Sequence, residues 1–366
     1  MKTKIGIIGC GAISNAYYRG LSAFRFLELA GVADVNLERA RARGEEWKVR
    51  AFSVKELLAQ DGIDIVLNLT IPAAHAEVDL QILQAGKHAY SEKPLGIQRD
   101  EATKVLLLSK ESKHRVGCAP DTVLGAGIQT SRKLIDGGWI GEPVAATAFM
   151  MGRGVERWHM NPHFFYEPGG GPLFDMGPYY ISALINLLGP VERVTASARI
   201  SQPERIIRNP NLPERWGEKI PVQVPTHVSA SLEFLRGPIA TLVTSFDVQA
   251  STLPRIEIYG TEGTLSVPDP NTFGGPVRLK NNYDEEWREI PLSCSSVEPG
   301  RGLGVAEMAL AIEEDRPHRA NAQVAAHVLD IMQSIHESAT TGRHLSIQSK
   351  CEQPLALEEN LLELIV

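Results

Sequence analysis

The chain begins with a stretch that reads Ile5-Gly6-Ile7-Ile8-Gly9-Cys10-Gly11-Ala12-Ile13-Ser14. The short apolar run before Gly9 is bounded by glycine, which predicts a strand buried on both faces of a parallel sheet. Gly9 permits a tight turn, and Gly11 lets the backbone approach a pyrophosphate closely. A helix then starts near Ala12 and Ile13, and its unpaired N–H groups face that anion. The stretch therefore predicts a strand, a turn and a helix that bind a dinucleotide.

The next strand, Leu27 to Ala33, ends at an acid, Asp34. A carboxylate at this place accepts both ribose hydroxyls of the adenosine half and repels a 2′-phosphate, which favours NAD over NADP. Arg39 keeps NADP open as an alternative, because an arginine early in the next helix can stack on adenine or meet a 2′-phosphate. Ser14 replaces the third glycine of the fingerprint and is small enough for the helix and strand to pack closely.

The composition indicates a globular protein of more than one domain. At 366 residues the chain exceeds what one hydrophobic core usually supports. The net charge of −7 argues against a nucleic-acid surface, and no apolar run approaches the length of a membrane span. The four cysteines lie too far apart for a metal-ligand pair or a redox motif, which fits a reducing cytoplasm. We also find no targeting segment.

Predicted strands and helices alternate through about residue 120, which indicates a doubly wound parallel sheet of the Rossmann type in an α/β fold. Within this part, Ser53 and Glu56 have the spacing of a capping box at a helix start. We expect residues 1–121 to form an NAD(P)-binding Rossmann domain.

The pattern changes after Pro120. From Val191 to Leu279 the chain reads mainly as strands that form a large, mostly antiparallel open sheet, and the polar, proline-broken stretch from Glu204 to Lys219 is predicted to be a loop. Helices near the end complete a second α/β domain over residues 122–366. Its glycine-rich and aromatic segment from Gly152 to Gly171 is predicted to be a loop that covers a site.

Chemistry is expected first at Glu92-Lys93-Pro94, which follows a predicted strand of the parallel sheet. Ligands of open parallel sheets bind at the carboxyl ends of the strands. A lysine at that edge can donate to a substrate hydroxyl and stabilise the negative charge that develops on its oxygen during hydride loss. Lys93 is therefore a candidate catalytic residue beside the nicotinamide.

The second candidate site is the stretch GGGPLFDMGPYY, residues 169–180, which is predicted to enter a helix at about Phe174. Asp175 and Tyr179 are four residues apart, so both project from one face of that helix. The glycines before it let the backbone approach another group closely. The alternative is an acid that interacts with the helix dipole and an aromatic side chain in the core.

The fingerprint GIIGCGAIS, the Glu92-Lys93-Pro94 loop and the GGGPLFDMGPYY helix start together resemble the glucose–fructose oxidoreductase, inositol dehydrogenase and rhizopine-catabolism (Gfo/Idh/MocA) family. The resemblance covers nearly the whole chain. It implies a Rossmann domain, a second α/β domain whose open sheet mediates dimers or tetramers, and oxidation or reduction of sugars, polyols and related alcohols.

The same resemblance implies roles for single residues. Lys93 matches the catalytic lysine of the family, Glu92 the acid that sets this lysine and the nicotinamide, and Asp175 the substrate-binding aspartate. Tyr179 stands where most members carry a histidine. A nearby lysine is expected to lower the pKa of that phenol, so Tyr179 becomes a candidate for proton exchange, with Tyr180 as the alternative residue facing the site.

Further candidates surround these positions. Thr70, Pro72 and His75 resemble the family loop that borders the ribose and nicotinamide. The predicted cover offers hydroxyl-binding donors and a stacking face for a sugar, and His159 is the alternative acid–base group if Tyr179 is only structural. The cover candidates are Arg153, Arg157, Trp158, His159, Asn161 and His163. No cluster has the spacing of a zinc site, so we expect metal-free catalysis.

These observations predict an NAD(P)-dependent oxidoreductase that moves hydride between the nicotinamide C4 and a secondary carbinol carbon of a sugar, polyol or cyclitol derivative. One alternative is an enzyme that retains NAD and cleaves glycosides by transient oxidation. Another is a non-catalytic NAD(P)-binding sensor or scaffold. We expect a cytoplasmic homodimer or homotetramer that binds a small molecule and neither nucleic acid nor membrane.

Overall fold

The computed structural model describes residues 2–293 and 300–358, so Cys294 lies outside the described residues. Six parallel strands form the first sheet in the order β3-β2-β1-β4-β5-β6. They are β1 (Thr3–Ile8), β2 (Leu27–Ala33), β3 (Arg50–Phe52), β4 (Ile65–Asn68), β5 (His88–Ser91) and β6 (Val116–Cys118). This order, with β1 at the centre, is that of a Rossmann sheet and confirms the predicted doubly wound fold.

Five helices connect these strands. They are α1 (Ser14–Leu21), α2 (Leu37–Trp47), α3 (Val54–Leu58), α4 (His75–Gln84) and α5 (Arg99–Ser112). The predicted capping box is present, because the Ser53 hydroxyl accepts from the N–H of Glu56 and the Glu56 carboxylate accepts from the N–H of Ser53. Both groups satisfy donors that the first turn of a helix leaves unpaired.

Nine strands form the second sheet in the order β16-β15-β14-β13-β7-β12-β11-β8-β17. Only the β7–β12 pair is parallel among these described strands, so the sheet is mostly antiparallel as predicted. The strands are β7 (Pro143–Met151), β8 (Val191–Arg199), β11 (His227–Phe234), β12 (Ile239–Ser245), β13 (Ile256–Gly260), β14 (Gly263–Val267), β15 (Val277–Asn281), β16 (Arg288–Ile290) and β17 (Leu345–Ser346).

The prediction of a loop over residues 204–219 was wrong in part. Two short antiparallel strands lie there, β9 (Glu204–Ile206) and β10 (Lys219–Pro221), and they form a separate two-stranded sheet. Arg205 and Ile220 are paired across it and both are buried. The tertiary contacts of these buried side chains override a sequence that is polar and broken by proline.

Four helices complete the second part of the described chain: α6 (Ala126–Asp136), α7 (Gly171–Leu188), α8 (Leu303–Glu313) and α9 (Ala322–Thr341). Helices α7 and α9 cover one face of the large sheet, and alternate residues of β11 are buried beneath them. Helix α7 begins at Gly171, before the predicted start at Phe174, because a proline fits the first turn of a helix without losing a hydrogen bond.

The topology brings three chain segments to one edge of the first sheet. The glycine turn follows β1, Thr70 follows β4, and Glu92-Lys93 follows β5. The predicted cover, Gly152 to Gly171, contains two 3-10 turns, Val155–Arg157 and His163–Tyr166, and its last residue is the first residue of α7. None of the described helices is long and apolar enough to span a membrane.

Candidate active site

Glycine is needed at positions 9 and 11 of the turn for different structural reasons. Gly9 has a φ of 103°, and a Cβ on it would lie 2.5 Å from the carbonyl oxygen of Leu69, so only glycine fits. A Cβ on Gly11 would meet no atom within 4 Å. The first glycine therefore shapes the turn, whereas the second keeps space open beside it.

That space belongs to a cavity of about 1130 Å³, which we call the cofactor cavity. One wall follows the edge of the first sheet, and the opposite wall is the cover. The residues that line it are Cys10, Gly11, Ala12, Ile13, Arg39, Ala42, Arg43, Glu46, Leu69, Thr70, Ile71, Pro72, Ala73, Ile97, His159, Asn161, Phe164, Glu167, Pro168 and Gly169. Its size and its position at the carboxyl edge of a parallel sheet suit a dinucleotide.

The backbone of the turn fits a pyrophosphate. Within the described parts of the chain, no hydrogen-bond acceptor reaches the N–H groups of Gly11, Ala12 and Ile13, and all three residues line the cavity. Free N–H groups at a helix start attract an anion, and the helix dipole adds to the attraction. Ser14 is buried and its hydroxyl donates to the carbonyl of Gly11 at 2.6 Å, so the missing third glycine is accommodated.

Asp34 lies at the end of β2 behind the turn. Its carboxylate accepts from the N–H of Cys10 at 2.8 Å and from the N–H of Asn36 at 2.9 Å. Arg39 stands 3.7 Å from the same carboxylate and lines the cavity. Asp34 is 6% exposed and is not among the residues that line the cavity, so its contact with the ribose hydroxyls stays a prediction.

The second group of residues, which we call the lysine cluster, consists of Glu92, Lys93, Asp175, Tyr179 and Arg301. Lys93 Nζ lies 3.1 Å from Asp175 Oδ1, donates to the backbone carbonyl of Asp175, and stands 5.1 Å from the ring centroid of Tyr179. Asp175 and Tyr179 therefore face Lys93 from one side of α7, as their spacing predicts.

Glu92 connects the cluster to the cofactor side. It is 8% exposed, and its carboxylate accepts from the Tyr17 hydroxyl of α1 at 2.8 Å and from the N–H of Lys93 at 3.0 Å. Tyr17 is fully buried in the helix that follows the glycine turn. Glu92 thus holds the Lys93 backbone at a defined position relative to α1.

The charges around Lys93 set its protonation. Burial alone lowers the pKa of Lys93, but the charge of Asp175, followed by Tyr179 and Glu92, outweighs burial and raises this pKa above its ordinary value. Lys93 is therefore an ammonium at neutral pH. Such a group donates hydrogen bonds and stabilises an oxyanion, and it cannot act as a base without a change in its surroundings.

Burial of the Tyr179 phenol raises its pKa, and this effect is larger than that of the neighbouring cations. Lys93 lowers the pKa of Tyr179 as expected, and Arg301 acts in the same direction, but the pKa stays above its ordinary value. Its hydroxyl accepts a hydrogen bond from Arg301 Nη2 at 2.8 Å. Tyr180, the predicted alternative, is directed toward the carbonyl of Phe149 in β7 instead.

The loop after β4 divides into exposed and buried parts. Thr70 and Pro72 line the cofactor cavity, whereas His75 is 1% exposed. The His75 ring contacts the carbonyl oxygens of Pro94 at 2.6 Å and Thr70 at 3.0 Å, and its burial lowers the pKa. His75 therefore ties the loop after β4 to the lysine-bearing loop from behind.

The candidate residues of the cover fall into two groups, those that line the cofactor cavity and those that do not. His159 and Asn161 line the cofactor cavity, and Nδ1 of His159 accepts from the N–H of Asn161 at 3.0 Å. Trp158 is 62% exposed beside them. Arg153 is exposed, Arg157 is half-buried, and His163 contacts Glu218 and Arg215; none of these three lines the cavity. No group of three or more potential metal ligands occurs in residues 2–293 and 300–358.

Two family models match the chain. Residues 3–119 match the model described as the oxidoreductase family, NAD-binding Rossmann fold, and residues 128–266 match the GFO/IDH/MocA C-terminal domain. The chain belongs to the Gfo/Idh/MocA family. It is accordingly an NAD-binding oxidoreductase.

The relatives within the Gfo/Idh/MocA family have low sequence identity to this chain, but the alignments cover most of its length. The chain is 24% identical over 301 residues to 1,5-anhydro-D-fructose reductase of Ensifer adhaerens, covering 80% of this chain and 84% of the relative. Inositol 2-dehydrogenase 3 of Saccharopolyspora erythraea is also 24% identical, over 79% of this chain and 80% of its own. The solved structure of levoglucosan dehydrogenase in complex with NADH superposes with a TM-score of 0.82 at 19% identity, over 96% of this chain and 100% of its own.

Arg301 was missed at the level of sequence. A signal for it exists, because Arg301 stands between Gly300 and Gly302 at the start of α8, where the helix dipole disfavours a positive charge. A cation at an unfavourable helix position indicates that another part of the fold uses its charge. Two other residues gave no comparable signal: Tyr17, and Asp121, a fully buried acid after β6 that pairs with Arg301. The partners of both lie far away in the chain.

Proposed function

We propose that this family member transfers hydride between NAD and a secondary hydroxyl or carbonyl carbon of a sugar, polyol or cyclitol. The observation that carries the proposal is the position of Lys93 after β5, with Nζ 3.1 Å from Asp175 Oδ1 and 5.1 Å from the Tyr179 ring centroid. The names of the relatives, which act on anhydrofructose and inositol, support this substrate class. Sugars and polyols also suit a cover that offers His159, Asn161 and an aromatic wall at Phe164.

Bound NAD supplies the hydride acceptor in the oxidation and the reduced cofactor supplies the hydride donor in reverse. Lys93 holds its proton at Nζ and donates a hydrogen bond to the reacting oxygen of the substrate. As negative charge develops on that oxygen, the ammonium stabilises it, and Asp175 and Glu92 keep the lysine beside the reacting oxygen.

Asp175 has the second role. In the free protein its carboxylate is occupied by Lys93 and remains 21% exposed on its side chain. We propose that a substrate hydroxyl donates to the other carboxylate oxygen while the ammonium turns part of its hydrogen bonding to the reacting oxygen. Two fixed contacts on neighbouring hydroxyls orient a polyol and select its stereochemistry.

The proton that leaves the substrate needs an exchange group. Tyr179 and His159 are the candidates, and their settings differ. The Tyr179 hydroxyl accepts from Arg301, and its pKa is raised, which supports a neutral phenol that holds Lys93. His159 lines the cofactor cavity, and its Nδ1 is occupied by Asn161. Because Nδ1 accepts this hydrogen bond, the neutral His159 ring carries its hydrogen on Nε2. We therefore propose that in the oxidation the substrate O–H bond breaks and its proton passes to His159 Nδ1, which gives up its contact with the Asn161 N–H, and then to water.

The decisive experiment is Lys93→Met. Initial rates of cofactor reduction are measured with a panel of inositol, levoglucosan, D-xylose and 1,5-anhydro-D-glucitol, and the reverse reaction is measured with 1,5-anhydro-D-fructose. We expect Lys93→Met to lower turnover at least ~10²-fold, the scale of one electrostatic or acid–base group. The affinity for NAD, measured by calorimetry, should remain nearly unchanged.

Lys104→Met is the matched control, because Lys104 is exposed on α5 and pairs with Asp100 at the surface. Its turnover should equal that of the unsubstituted protein. Equal turnover of Lys93→Met and Lys104→Met would refute the catalytic assignment. Tight NAD binding without turnover of any panel member would instead favour a non-catalytic NAD-binding protein.

We further propose that residues 1–121 bind the cofactor, with NADP admitted through Arg39, and that residues 122–366 bind substrate and a second copy of the chain in the cytoplasm. We propose that the second copy packs on the face of the large sheet away from α7 and α9, where β11 places Ser229 and Ser231. Sedimentation velocity should give the mass of a dimer or tetramer, and a monomer at all concentrations would contradict the proposal.

A further inference from the structure

Arg301 enters the lysine cluster from the start of α8. Gly300 and Gly302 on either side have φ values of 69° and 106°, backbone conformations that side chains other than glycine rarely adopt. These glycines turn the chain so that the Arg301 side chain, 12% exposed, reaches inward. The guanidinium is therefore largely buried, whereas an arginine at a helix start is ordinarily hydrated.

The guanidinium joins three separate elements. Nη2 donates to the Tyr179 hydroxyl at 2.8 Å and to Asn271 Oδ1 at 3.1 Å, and Nη1 lies 3.4 Å from Asp121 Oδ1. Asp121 follows β6 and is fully buried. Arg301 therefore connects the end of the first sheet, the loop after β14 and the substrate-facing side of α7.

Asp121 has a structural role at the start of α8 besides its ion pair with Arg301. Its Oδ2 accepts from the N–H groups of Gly302 at 2.8 Å and Gly304 at 3.3 Å, which are unpaired donors in the first turn of α8. The negative charge also suits that end of the helix. Asp121 thus attaches α8 to the first sheet, and Nη1 of Arg301 balances the charge of this buried carboxylate. Neither role involves Nη2 of Arg301, so its contact with Tyr179 requires a different explanation.

That contact determines which part of Tyr179 meets Lys93. With its oxygen held by Arg301, the phenol presents its ring to the ammonium, whose Nζ is 5.1 Å from the ring centroid. The guanidinium carbon of Arg301 is 5.2 Å from the same centroid. A ring in this position attracts the ammonium and leaves its hydrogen-bond donors available to oxygen atoms.

We propose that Arg301 is a positioning residue for hydride transfer: it holds Tyr179 so that the ring keeps the Lys93 ammonium directed at the reacting oxygen. This inference rests on the proposed function. It requires that Arg301 and Tyr179 act as one unit, so loss of either should have the same effect as loss of both. A purely structural Arg301 would affect folding without this dependence.

The test is a double-mutant cycle of Arg301→Gln and Tyr179→Phe, with kcat, KM and thermal midpoint measured for each variant. Tyr179→Phe keeps the ring and removes only the oxygen that Arg301 holds. We expect each single variant to lower kcat about tenfold or more, with KM for NAD unchanged, and the double variant to lose no more than the worse single variant. Arg301→Lys, which can still donate to the phenol, should recover part of kcat.

Arg316→Gln is the matched control, since Arg316 is a partly buried arginine at the other end of α8 that pairs with fully buried Glu307. It should lower the thermal midpoint and leave kcat unchanged. Independent, multiplicative losses in the cycle, or an Arg301→Gln variant with full kcat, would overturn the inference while the proposed function stands. Absence of turnover in the unsubstituted protein would refute both.

Discussion

The cofactor cavity and the lysine cluster are neighbouring regions built in opposite ways. The cavity is open and includes backbone N–H groups that no described residue satisfies. In the cluster, Lys93 and Arg301 are both paired with carboxylates inside the protein, and the Lys93 side chain is only 15% exposed. The cofactor cavity is therefore formed before any ligand binds, whereas the charged groups of the lysine cluster are paired with other protein groups.

The difference follows from what each region is made of. Backbone dihedrals and the absence of a Cβ create the cavity, and these properties are local and rigid. The cluster is made of long side chains from three elements that satisfy each other when no substrate is present. A substrate must exchange hydrogen bonds with Asp175 and Lys93, so we expect cofactor to bind first and substrate second.

The largest effect should come from filling the cavity at Gly11. Gly11→Val places a branched side chain where a Cβ has no neighbour within 4 Å, so folding should be unaffected. The same side chain occupies the space of the pyrophosphate and blocks its approach to the N–H groups. We expect the dissociation constant for NAD, measured by calorimetry, to rise more than ~10²-fold, the result of losing several charge-assisted hydrogen bonds.

Gly9→Ala is the contrasting control for that experiment. Its Cβ would collide with the Leu69 carbonyl at a φ of 103°, so the substitution should cost roughly 2–3 kcal/mol of folding stability. Chemical denaturation should therefore separate the two glycines. If Gly11→Val lowers stability as much as Gly9→Ala, the space beside Gly11 is not a preformed cofactor site.

A smaller effect is expected from Asp175→Asn, which removes the carboxylate that pairs with Lys93. Loss of one charge-assisted contact to a substrate hydroxyl should lower kcat/KM about 10- to 100-fold, because such a bond contributes roughly 1.5–3 kcal/mol. NAD affinity should not change, since Asp175 does not line the cofactor cavity. Steady-state kinetics together with NAD titration measure both quantities.

The same variant should change the pH dependence in a defined direction. Asp175 is the first of the charges that raise the pKa of Lys93. A carboxylate stabilises the protonated lysine, so its removal lowers this pKa, and the alkaline limb of kcat/KM should move to lower pH. An unmoved alkaline limb would mean that the titrating group is not Lys93.

Much of the fold was predictable because its signals are local. The glycine turn, the capping box at Ser53 and the alternation of strands and helices each depend on residues close in the chain. The two short strands around residues 204–221 were missed, because buried partners elsewhere stabilise them against their own composition. The common side of α7 that Asp175 and Tyr179 share was predictable from their spacing, whereas the pKa of Tyr179 and its hydrogen bond from Arg301 were not.

By itself, the sequence determined a Rossmann sheet with a dinucleotide turn, the acid at the end of β2 and the presence of Lys93 and Asp175 in chemically suggestive contexts. Only the tertiary structure decided that Arg301 occupies the Tyr179 oxygen and that burial raises the pKa of this phenol. The physical reason is the separation along the chain between the residues that interact. Turns and helix starts are set by neighbouring dihedrals, whereas the charge and contacts of a buried group depend on residues more than one hundred positions away.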